Sequence, residues 1–274
     1  MPTWPNRSIE EYIDSLSDTD YRLRRQAAAA LEVLGEGRAV PPLVHTLHDP
    51  HQEVRATAAR ALGKLGDHAA VRPLVELLQD SVADVQVAAV RALVLLGGQH
   101  SVSALVQALR DPHEAVRHAA VQGLGQLGDA RAIPALMVAM GNAREEARLF
   151  IAMALAQCGD SAVPVLLDLL SKADRESRPL LVQALGFTKA PHVIGVLREA
   201  LQDEDSSARD AARLALMQLQ AHLVQTGDPF ADHPDLPDTV RWLAQHIRQQ
   251  YRRAGNPYGK TAEGLRRWLA EQCG

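Results

Sequence analysis

Residues 49–79 read DPHQEVRATAARALGKLGDHAAVRPLVELLQ, and the spacing inside this stretch decides the fold. Val54, Ala58, Ala61, Leu62 and Leu65 recur at intervals of three and four, which puts them on one face of a helix. Asp49 reads as the N-cap and Pro50 as the first helical residue, places suited to a short side-chain acceptor and to a residue without an amide proton. Gly66 reads as the left-handed residue past the helix end. A shorter helix follows, apolar at Val71, Leu74, Val75, Leu77 and Leu78. The stretch is a helical hairpin too small to bury its apolar face alone, so copies of it must stack.

The copies are present. Arg24, Arg55, Gln86, Arg117, Arg148, Arg178 and Arg209 stand 30 or 31 residues apart. Six residues before them stand Asp18, Asp49, Asp80, Asp111, Asn142, Lys172 and Asp203. A glycine column follows at 35, 66, 97, 128 and 159, with Lys189 departing from it. The pattern D-P-x-x-x-V-R-x-x-A-x-x-A-L-G-x-L-G-D, followed by an A-(V/I)-x-P-L helix, resembles HEAT repeats, and most of all the short bacterial form of the phycobilin lyase family. The likeness runs from about Ser17 to Leu219. It implies an all-α fold, a right-handed α-solenoid of about seven HEAT-like hairpins with helical caps. First helices would line the convex side and second helices the concave side. It also implies that the Asp and Arg columns bridge neighbouring units, with Asp111 and Arg117 as members and Gln86 and Lys172 as gaps.

The rest of the chain is read as flanking structure. In residues 1–16, Ser8 and Glu11 have capping-box spacing, and Ile9, Tyr12, Ile13 and Leu16 can cover the end of the array. Residues 220–237 read as an acidic, Pro-containing linker. Residues 238–274 read as a helical pair, a cap or a docking element, with seven Lys/Arg against three Asp/Glu. Five of the ten aromatics lie after residue 229, and none lies between Arg22 and Leu149.

Bulk composition narrows the function. A net charge of −4 gives no global basic field, so nucleic acid is a disfavoured partner. Cys158 and Cys273 match no metal spacing and supply no disulfide framework. The N-terminus has no signal-peptide core, and no apolar run reaches membrane-spanning length. The expectation is a soluble, cytoplasmic protein without a membrane partner.

Candidate chemistry yields to simpler readings. Glu114 falls three residues after Asp111 and reads as a capping-box acceptor. The HEAT-like deoxyhypusine hydroxylases carry a His-Glu pair where this chain has His118-Ala119, which removes the ligand pair. His45, His48 and His51 have three-residue spacing, but the next helix begins between them, so they read as surface side chains. Cys158 reads as a small core residue. No catalytic residue, metal or cofactor is implied.

What varies is the second helix. One column there holds His45, Glu76, Gln107, Val138, Asp168 and Glu199, and the next His48, Gln79, Arg110, Gly141, Ser171 and Gln202. Variation at fixed outward positions suits recognition, and the acids imply a protein partner with basic character. The expected partner-binding residues are His45, His48, Glu76, Gln107, Arg110, Asp168, Glu199 and Gln202, joined in the tail by Arg241, Trp242, Arg248, Tyr251 and Arg252. The leading reading is a non-enzymatic scaffold or adaptor. The alternative, implied by the resemblance alone, is a lyase-like protein that attaches, isomerises or detaches bilins on phycobiliproteins.

Overall fold

The computed structural model describes residues 8–190, 193–226, 249, 252–253 and 255. Among the described residues there are fourteen α-helices and no strand. The chain divides into two compact units, residues 1–142 and 143–274. The first unit holds α1 (Ile9–Ser15), α2 (Tyr21–Leu34), α3 (Val40–Thr46), α4 (Gln52–Leu65), α5 (Val71–Leu77), α6 (Ala83–Leu96), α7 (Gly98–Ala108), α8 (Glu114–Leu127) and α9 (Ile133–Asn142). The second holds α10 (Glu145–Gln157), α11 (Val163–Ser171), α12 (Ser177–Phe187), α13 (Ile194–Ala200) and α14 (Ser206–Thr226). α14 runs into the span read from sequence as linker.

Within each unit the long first helices pack side by side in chain order, α2 to α8 and α10 to α14. The short helices α3, α5, α7, α11 and α13 each rest against the long helix that follows. Two leucine columns explain the stacking. Leu31, Leu62, Leu93 and Leu124 in the first unit, and Leu155 and Leu185 in the second, are all 0% exposed. The short helices supply Leu43, Leu74, Leu105 and Leu136, then Leu166 and Leu197, again all at 0%. Long helices can approach closely because small residues separate them. A Cβ built on Gly63 would lie 2.7 Å from the Ala92 Cα, and one on Gly186 2.6 Å from the Ala215 Cα.

The cap and turn chemistry departs from expectation in three places. Ser8 and Glu11 form the capping box that opens α1. Asp49 and Asp111, however, are not N-caps. The caps are His51 and His113, and the aspartates accept their amides at 2.8 Å. These carboxylates also serve the preceding hairpin, which places them outside the helix with Pro50 and Pro112 in the intervening turn. Glu114 is consequently the first residue of α8 and makes no capping box. Third, Lys189, where the glycine column breaks, still takes a positive φ (58°) despite its side chain, as Gly35, Gly66, Gly97, Gly128 and Gly159 do in the way expected of glycine.

Neighbouring hairpins are joined by a ladder. The Arg24 Nε and Nη2 donate to Asp49 at 2.6 and 2.9 Å, while Nη1 donates to the Asp18 carbonyl at 2.7 Å. Arg55 repeats this with Asp80 at 2.7 and 2.9 Å. Burial works to raise both carboxyls, but the guanidinium bonds and the amides of His51 and Val82 outweigh it and hold Asp49 and Asp80 below the usual carboxylate range.

The third rung is filled, where the sequence read a gap. The Gln86 side chain is buried and donates from Nε2 to the Leu78 carbonyl at 2.7 Å and to Asp111 at 3.1 Å. Its Oε1 lies 3.1 Å from the His113 Nδ1, which gives that histidine a structural task. Arg117, read as a bridge between units, keeps the loop contacts that Arg24 and Arg55 also make, to the Asp111 and Pro112 carbonyls, each at 2.8 Å, but has no carboxylate rung among the described residues. The carboxylate it would need across the gap is replaced by Asn142. In the second unit, Arg178 reaches Asp203 through one 3.4 Å contact, and the buried Nε of Arg148 has no hydrogen-bond partner among the described residues.

Candidate partner-binding face

Every second helix presents three positions spaced i, i+4 and i+7, which lie on one stripe of a helix. In the first unit they are Pro41, His45 and His48 beside α3, Arg72, Glu76 and Gln79 beside α5, and Ser103, Gln107 and Arg110 beside α7. All nine are exposed. α9 contributes Pro134, Val138 and Gly141, also exposed. In the second unit the exposed stripe residues are Pro164, Asp168 and Ser171 beside α11, and Glu199 and Gln202 beside α13.

These positions are tied to the core by register. Each helix places a fully buried leucine two residues before the middle stripe position: Leu43 before His45, Leu74 before Glu76, Leu105 before Gln107, Leu136 before Val138, Leu166 before Asp168 and Leu197 before Glu199. Two residues along a helix is a rotation of roughly 200°, so burial of the leucine turns its neighbour outward. Leucine is kept six times and the outward residue never repeats at adjacent hairpins.

The electrostatics of the stripe differ from what the acids alone suggested. Glu76 pairs with Arg72 at 3.6 Å and Asp168 with Lys172 at 2.7 Å, both one helical turn apart. These pairs are exposed and contribute little to stability, but they cancel charge locally. Arg72 was not singled out in the sequence, and Lys172 only as a gap in the aspartate column, although their four-residue offset from an acid carries the signal. Arg110 is exposed and forms no ion pair among the described residues. Of the tail residues expected to bind, Arg252 is exposed, while Arg241, Trp242, Arg248 and Tyr251 lie outside the described residues.

The other candidates resolve without chemistry. His51 stacks on Tyr21 with ring centroids 3.6 Å apart, and His45 and His48 face solvent separately from it. Among the described residues no group of three His, Cys, Asp or Glu side chains is placed to hold a metal ion. Cys158 is buried, its Sγ 3.5 Å from the Ala154 carbonyl. No helix among the described residues is long and apolar enough to cross a membrane.

Stacked helical hairpins, two leucine columns and a varied outer stripe define a helical-repeat protein of the solenoid class. The chain matches the HEAT-repeat family over residues 9–93, 71–145 and 137–217, and it belongs to that family. No curated protein matches it. Among solved structures, its fold is similar to that in the complex of CpcE and CpcF of phycocyanin lyase from Nostoc sp. PCC7120, with a TM-score of 0.51 and 22% identity over 89% of this chain and 96% of that one. It is also similar to the Escherichia coli protein YibA, with a TM-score of 0.50 and 17% identity over 87% of this chain and 93% of that one. Importin beta gives a TM-score of 0.56 at 15% identity, covering 96% of this chain and 40% of the importin.

Proposed function

We propose that this protein is a non-enzymatic binding or scaffold protein that holds a protein partner on the exposed stripe of its second helices. One observation carries the reading. An unchanging, fully buried leucine fixes each second helix, and the residue it turns outward changes from hairpin to hairpin. Side chains that vary while the frame stays constant encode recognition more economically than catalysis. In the second unit the exposed Glu199, apart from the locally paired Asp168 and Lys172, favours a partner segment with basic character, through rim electrostatics that set specificity and association rate. The tail segment with Arg241, Trp242, Arg248, Tyr251 and Arg252 serves as a second docking element.

Replacing Glu76, Asp168 and Glu199 together by lysine tests the reading. The outward positions are solvent-exposed, so the variant is expected to keep its helicity and melting temperature. Affinity capture from the native cells should recover a partner with the wild-type chain and lose it with the variant. Recovery of the same partner at the same yield by both proteins would sink the proposal.

A second reading draws on the fold shared with the phycocyanin lyase complex. A bilin-handling protein would shift the absorbance of phycocyanobilin when mixed with it, alone or with a phycobiliprotein subunit. An unchanged spectrum in both mixtures would remove this alternative.

A further inference from the structure

The stripe of the first unit differs in charge from that of the second. Its ionised groups are Arg72, Glu76 and Arg110. Arg72 and Glu76 answer each other at 3.6 Å, which leaves the Arg110 guanidinium as the uncompensated charge. The surrounding positions are His45, His48, Gln79 and Gln107, which offer imidazole and amide hydrogen-bonding groups and no further carboxylate. Of the nearby ladder acids, Asp49 and Asp80 are engaged by Arg24 and Arg55, while Asp111, next to Arg110 in the chain, is bonded to Gln86, sits against His113 at 12% exposure and forms no ion pair with Arg110 among the described residues. From this arrangement we infer that the α3–α5–α7 stripe is a docking surface for an extended acidic segment of a partner protein, with a carboxylate on Arg110. The inference deepens the proposed scaffold role and rests on it.

Geometry sets the register. Packed helices lie about 8–10 Å apart, and an extended chain advances about 3.3 Å per residue, so one helix step corresponds to roughly three residues of ligand. A segment running across the stripe meets Arg110 and Gln107 beside α7, Gln79 beside α5, and the imidazoles of His45 and His48 beside α3. Side-chain amides there can hydrogen-bond the ligand backbone, because glutamine both donates and accepts. An acidic residue held by Arg110 is thus followed or preceded, about six residues away, by an acceptor for the imidazoles. Arginine makes the stronger contact, since its planar fork takes a carboxylate bidentately.

The test uses the full chain, immobilised, and a displayed library of random dodecapeptides. The selected peptides are expected to carry Asp or Glu, paired about six positions apart. Synthesised as free peptides, they should bind Arg110→Glu at least tenfold more weakly than wild type. They should bind Glu76→Lys more tightly, because that change releases Arg72. Circular dichroism checks that both variants keep the wild-type fold. Selection of basic or apolar peptides, failure to enrich any peptide, or acidic peptides indifferent to Arg110→Glu would each overturn the inference. Basic peptides that are lost with Asp168→Lys and Glu199→Lys would leave the scaffold reading standing while removing this one. Peptides indifferent to every stripe substitution would remove both.

Discussion

The ladder at Arg24 and Arg55 and the ladder at Arg148 and Arg178 are built from the same arginine column, yet they hold their hairpins differently. At Arg24 and Arg55 the guanidinium makes two short bonds to an aspartate 25 residues ahead, and the paired side chains are 6–14% exposed. In the second unit the aspartate column is broken where Arg148 would meet it: Lys172 stands six residues before Arg178, and the position 25 residues after Arg148 is Ala173. Arg178 finds Asp203, but by one contact of 3.4 Å, with the arginine side chain 42% exposed. The lesson is that an arginine column does not by itself make a rung. Its worth is set by the acceptor's register and by how far water is excluded, since exposed pairs are screened and buried ones are not.

Substitutions can sharpen that comparison, and the largest effects should appear where both units are alike. Leu62→Ala and Leu155→Ala each empty a fully buried site and are expected to cost about 2–5 kcal/mol in urea unfolding. Similar losses in the two units would show that the leucine columns, unlike the ladder, are equivalent. Gly63→Ala should cost roughly 1–3 kcal/mol, because the added methyl meets the Ala92 backbone and α4 and α6 must move apart.

The rungs themselves come next. Arg55→Ala leaves the mostly buried Asp80 without its bidentate partner and is expected to cost about 1.5–3 kcal/mol. Arg178→Ala should cost no more than about 1 kcal/mol. Equal losses would remove the contrast between the units. Acid titration separates them again. The Asp80 carboxyl is held below its ordinary value, so it contributes stability that is present above about pH 4 and is lost as the pH falls through its folded pKa. Wild-type stability should therefore drop below about pH 4, and Arg55→Ala should flatten part of that drop. An acid limb unchanged by Arg55→Ala would count against the rung.

The smallest effect is a gain. Lys189 adopts a left-handed backbone that costs a side-chain-bearing residue about 1–2 kcal/mol. Lys189→Gly should raise stability by roughly 1 kcal/mol, less the extra freedom glycine has in the unfolded chain. A loss on substitution would mean that the lysine side chain compensates for its backbone.

Much of this was legible in the sequence, and the exceptions have physical causes. Periodicity reports which face is buried, so the hairpins, the leucine columns, the Ser8–Glu11 capping box and the buried Cys158 could be read directly. Cap positions could not be read, because Asp49 and Asp111 look like N-caps locally and are claimed by the preceding hairpin through Arg24 and Gln86. Such a claim is non-local, and no window of one hairpin contains it. The same holds for Gln86, a gap in a charge column that a neutral amide fills by hydrogen bonding, and for Arg117, which keeps the loop contacts of its column but meets Asn142 where a carboxylate would complete the rung. On the stripe, the outward positions followed from the repeat, but their charge balance did not. Glu76 and Asp168 looked like free acids until Arg72 and Lys172 were placed one turn away.

The two-residue offset between each buried leucine and its outward neighbour has a consequence for change over time. The core and the stripe share a helix but no side-chain position, so a substitution at His45, Gln107 or Glu199 alters what the surface meets without disturbing what the interior packs. Duplicating or exchanging a whole hairpin would carry a new surface residue into an unchanged lattice. A chain organised this way can change its outer surface by small independent steps while its two leucine columns hold the frame fixed.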